Sequence, residues 1–82
     1  MLMAGKRDVA QGQPRTQQEI ELWTALAANA EFLGSSSPDK RMSLLRERAR
    51  LWDELATISS PACGQAYRDA AAKCRAEAEH LS

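Results

Sequence analysis

Apolar residues recur at helical spacing in three stretches of this chain, and each stretch opens on a proline. Pro14 precedes Thr16-Gln17-Gln18-Glu19, Pro38 follows Ser36-Ser37, and Pro61 follows Ser59-Ser60. Proline fits the first turn of a helix, where its missing N–H has no intrahelical acceptor. A neighbouring Ser or Thr hydroxyl then accepts from the orphan donors of that turn. The pattern predicts helices over about 16–33, 38–58 and 61–80.

The first helix begins with a Thr16 and Glu19 capping box and meets Gly34 as a C-terminal stop. On a 3.6-residue wheel Ile20, Leu22, Trp23, Leu26, Ala27, Ala30 and Leu33 share one face. Phe32 falls outside that face. It reads either as a ring folded over the helix end beneath Ser35-Ser36-Ser37 or as an anchor for a partner.

The second helix is apolar over half its circumference. Met42, Leu45, Ala49, Trp52 and Ala56 form one seam, and Leu44, Leu51, Leu55 and Ile58 a second about a third of a turn away. Two seams imply two neighbours, the position of a central helix in a bundle. Ser43, Arg46, Glu47, Arg50, Asp53, Glu54 and Thr57 make up a solvated face of mixed sign. Arg41 and Arg48 lie between the seams, where their stems can cover apolar side chains while the guanidinium groups reach water, Glu31, or a bound carboxylate or phosphate.

The third helix carries a stripe of mostly small residues: Cys63, Ala66, Tyr67, Ala70, Ala71, Cys74, Ala78 and Leu81. Small side chains let two helix backbones approach closely. Glu77 at the edge of the stripe calls for an arginine partner. Before the first helix, residues 1–15 have no apolar period and read as a flexible basic arm, leaving 16–82 as one helical domain. The expected fold is all-α, an antiparallel three-helix bundle behind a disordered N-terminal arm.

Charge adds little at the level of the whole chain. Eleven Lys and Arg balance eleven Asp and Glu, so no overall field draws the protein to nucleic acid or an anionic membrane. Regionally, the first helix is acidic and Lys40 to Arg50 is basic. No stretch reads as a secretory leader or a membrane span, and two cysteines without metal-type spacing suit a reducing cytoplasm.

Cys63 and Cys74 stand three helical turns apart, roughly 16 Å, too far for a bridge within one folded chain. Between two copies, an antiparallel pairing of third helices sets Cys63 opposite Cys74 and Tyr67 opposite Ala70, which makes these four residues a self-association candidate. The plainer reading is two small buried hydrophobes. His80 suits the negative end of its helix. No metal set, cofactor motif, nucleophile elbow or phosphate loop is present in the sequence, so neither a metal, a cofactor nor an enzyme is expected.

These features favour a small non-enzymatic helical protein that binds another protein: a regulator, inhibitor or accessory subunit, of the size that phages and mobile elements make, and self-associating as a homodimer. Phe32, Leu44, Leu51 and Leu55 are the candidate anchors, with Arg48 fixing register. The alternative is a nucleic-acid-binding regulator that uses Lys6, Arg7, Lys40, Arg41, Arg46 and Arg50.

Overall fold

Hydroxyl caps start all three helices where the prolines indicate. The computed structural model describes residues 16–81, in which α1 runs Gln17–Ser35, α2 Pro38–Thr57 and α3 Pro61–Leu81. The Thr16 hydroxyl accepts from the Glu19 N–H at 3.0 Å, Ser37 from Lys40 at 3.5 Å and Ser60 from Cys63 at 3.4 Å. Among the described residues there is no strand. The expected basic arm, with Lys6 and Arg7, lies outside the described residues.

Contacts run in opposite order along each successive pair. Leu33 meets Arg41, Asn29 meets Leu44, and Leu26 meets Arg48, so α2 returns along α1. Gly64 lies against Ala56 and Tyr67 against Trp52, while Glu77 faces Arg41, so α3 returns along α2.

The two-seam reading of α2 is realised in two clusters. Leu51 and Leu55 pack with Leu22 and Leu26 of α1, while Ala49 packs with Ala71 and Cys74 of α3. Trp52 touches both clusters. Its ring stacks on Tyr67 at 5.5 Å and meets Trp23 edge to face at 5.6 Å. No Cα of α1 comes within 8 Å of α3, yet the Trp23 and Tyr67 rings meet at 5.9 Å. The aromatic trio is therefore the place where all three helices join.

Three sequence expectations need correcting. Gly34 does not stop α1, which continues through it to Ser35 and is capped by Ser36. The inward face of α1 is also rotated: Leu22, Leu26 and Asn29 are buried, whereas Ile20, Ala27 and Ala30 are exposed. On α3 the buried positions are Gly64, Ala71, Cys74 and Ala78, while Cys63, Ala66 and Leu81 are exposed. A Cβ on Gly64 would stand 3.1 Å from the Ala56 carbonyl oxygen, so the bare backbone there lets α3 start flush against the end of α2.

Candidate protein-binding face

Because Asn29 and Leu33 take the inward seats of α1, Phe32 is swung to the outside of the α1–α2 pair. It is 61% exposed. Its ring borders a shallow surface groove with Ala25, Ala28 and Asn29 of α1 and Leu44, Glu47 and Leu51 of α2. On its other side Phe32 and Leu44 border a second hollow with Ser35, Ser36 and Lys40. Phe32 and Leu44 thus form the apolar centre of one continuous face, and the ring is not tucked beneath the serine linker.

The other expected anchors are placed differently. Leu51 is 4% exposed and Leu55 0%, because α1 covers the seam that the sequence left open for a partner. Leu51 contributes only an edge to the groove floor, and Leu55 contributes nothing to the surface.

Arg48 is occupied within the chain. Its Nη1 donates to the Leu26 carbonyl at 3.1 Å and to Asn29 Oδ1 at 3.2 Å, and its guanidinium carbon lies 5.6 Å from the centre of the Trp52 ring. Asn29 Nδ2 in turn donates to the Leu44 carbonyl at 2.9 Å. Arg48 therefore ties α2 to α1 within the chain, the kind of seam contact through which polar groups set register. Asn29 was absent from the expected core because a wheel ranks side chains by apolarity and cannot see a partner that satisfies a buried amide.

Arg41 also works internally. Its Nη1 donates at 3.0 Å to the Leu33 carbonyl, and Nη2 lies 3.9 Å from Glu77 Oε2. The last turn of α1 has no cation of its own, so Arg41 supplies the positive charge its carbonyl end favours. Glu77 gains the arginine that the sequence called for.

The self-association candidates turn inward. Cys74 is buried beside Ala49, Ala71 and Trp52, Tyr67 stacks on Trp52, and Ala70 is half-buried. Only Cys63 is exposed, so an antiparallel pairing through Cys63 and Cys74 would require α3 to leave α2. Burial pushes the Cys74 thiol above the ordinary thiol range, against a smaller lowering influence of Arg48. It stays a protonated, apolar filler at neutral pH.

Of the nucleic-acid candidates, Lys6 and Arg7 lie outside the described residues. Arg50 is held by Glu47 and Glu54, and its guanidinium pKa is raised first by the hydrogen bonds it donates to Glu47. Arg46 borders a polar hollow with Arg75 and Glu79 on the α2–α3 side, while Lys40 stands at one end of the Phe32 face. Arg46 and Lys40 thus border two different hollows. Asp53 binds Arg75 across α2 and α3.

No group of three His, Cys, Asp or Glu side chains comes together as a metal site among the described residues. Nor is any described helix long and apolar enough to cross a membrane. No family model matches the chain, no curated protein matches it, and no solved structure matches it.

Proposed function

We propose that this is a small non-enzymatic helical protein that binds another protein through the face centred on Phe32 and Leu44, acting as a regulator, inhibitor or accessory subunit. The observation that carries this reading is the exposed Phe32 ring beside an apolar groove walled by Ala25, Ala28 and Leu44. Aromatic side chains that enter such clefts supply a large share of the energy of protein contacts. Lone exposed apolar residues are ordinary; an exposed ring with an adjoining cleft of small and aliphatic residues is the arrangement that helix-in-groove recognition uses.

The nucleic-acid alternative has less support. Arg41, Arg48 and Arg50 already have intramolecular partners, and phosphate binding would have to compete with them.

The test is capture of partners from a lysate with the parent chain and with Phe32→Ala in parallel. The expected result is a protein held by the parent and lost, by about thirtyfold or more in affinity, by the variant. The variant should keep parental helicity, since the ring has no part in either core cluster. Equal capture by both proteins would refute the assignment of the face.

A further inference from the structure

Lys40, Leu44 and Glu47 stand at i, i+4 and i+7 on α2, so their side chains fall on one stripe. That stripe is the α2 wall of the Phe32 face: Lys40 borders its serine end, Glu47 borders the opposite groove, and Leu44 with Phe32 lies between them. A wall that is positive at one end, apolar in the middle and negative at the other is self-complementary under a half-turn about its centre.

We propose that a second copy of this chain covers the face. The two α2 helices run antiparallel about a two-fold axis near Leu44. Lys40 of each copy then meets Glu47 of the other, and the Phe32 and Leu44 side chains form the dry centre. This rests on the preceding reading that the Phe32 face is a protein-contact surface, and it names the occupant.

Charge selects this occupant over a partner of single sign. A uniformly acidic helix would meet Glu47, and a uniformly basic one would meet Lys40, with like charges at one end in either case. The chain itself offers both signs at the matching spacing, as a self-complementary two-fold contact requires. Lys40 makes no ion pair among the described residues, so it has a charge to spend. Glu47 accepts from Arg50 through both carboxylate oxygens, at 3.4 and 2.5 Å, and each oxygen keeps a lone pair that can accept from a lysine beside that pair.

Sedimentation equilibrium on the full chain tests the proposal. The parent should show a concentration-dependent dimer, and Phe32→Glu should stay monomeric with unchanged helicity. Lys40→Glu and Glu47→Lys should each weaken the dimer by about tenfold, because each places two like-charged pairs across the axis. An equal mixture of those two variants should restore the parental dimer, because every crossing pair is then of opposite sign.

A parent that is monomeric up to about 1 mM overturns the proposal. So does a dimer indifferent to Phe32→Glu, or a mixture no tighter than either charge variant alone. Should a monomeric parent capture another protein through Phe32, only the self-docking fails. Should it neither self-associate nor capture anything through Phe32, the functional reading fails with it.

Discussion

Asn29 offers the sharpest check on how α1 is held. It is 4% exposed, donates to the Leu44 carbonyl at 2.9 Å and accepts from Arg48 at 3.2 Å. Asn29→Ala removes one neutral hydrogen bond, worth about 1 kcal/mol, and one charge-assisted bond, worth about 1.5–3 kcal/mol. Alanine returns about 0.6 kcal/mol of helix propensity. Arg48 keeps its bond to the Leu26 carbonyl, which places the loss in the lower part of the range. The net expectation is a destabilisation of about 2 kcal/mol, or a fall in Tm of roughly 8–16 °C for a domain of this size. Circular-dichroism melts and urea titrations read the change directly. In a double-mutant cycle with Arg48→Met, the pair should cost about 1 kcal/mol less than the sum of the single changes. If Asn29→Ala melted within about 0.5 kcal/mol of the parent, or if the cycle were additive, this network would not be what fixes the register.

Trp52→Ala should cost about 3–5 kcal/mol, since Trp52 touches both core clusters and both other aromatic rings; a thermal melt like the parent's would contradict the packing. The two described glycines should respond in opposite directions. Gly34→Ala should raise stability by about 0.4–1 kcal/mol, because the site is helical and a Cβ there meets nothing within 4 Å. Gly64→Leu should lower it by about 1–3 kcal/mol, because even a Cβ crowds the Ala56 carbonyl; both are measured by urea titration. The cysteines should separate by accessibility: a thiol reagent should modify Cys63 quickly and Cys74 only as fast as the fold opens. The Cys74 pKa is raised in the folded chain, so its contribution is complete below the unfolded thiol pKa of about 8.5 and is lost as pH rises through the higher folded value. Stability should therefore fall more steeply with alkaline pH in the parent than in Cys74→Ala.

The helices were legible because their start signals are local. Proline and an adjacent hydroxyl act within one turn, and Ser37-Pro38 and Ser60-Pro61 open helices as expected. The central role of the second helix was legible too, since a chain apolar on two flanks needs two covers. Which residues remain for a partner was not, because that depends on how far a neighbour reaches. Leu51 and Leu55 looked surplus until α1 was laid over them, and Leu44 stayed half-buried at the groove. Asn29 and Gly64 escaped for a related reason. A buried amide is recognised only by its cross-helix partner, Arg48, and a packing glycine only by the backbone it lets in, that of Ala56. Cys63 and Cys74 show the reverse error. Equal spacing suggested one shared face, but Cys74 is buried against Ala49 and Ala71 while Cys63, beside the packing glycine Gly64, is exposed.

The uneven attachment of the first helix has a bearing on how the molecule loosens. The α2–α3 hairpin is zipped by backbone-close alanines and a glycine, whereas α1 is held to α2 by two leucines, Trp23, an amide and two arginine clasps, and reaches α3 only through ring edges. Partial opening should begin by α1 peeling away while the hairpin holds, as amide exchange would register by early loss of protection between Leu22 and Leu33. The greasy strip of Leu51 and Leu55, sealed at rest, would then come briefly into play as a second, transient adhesive.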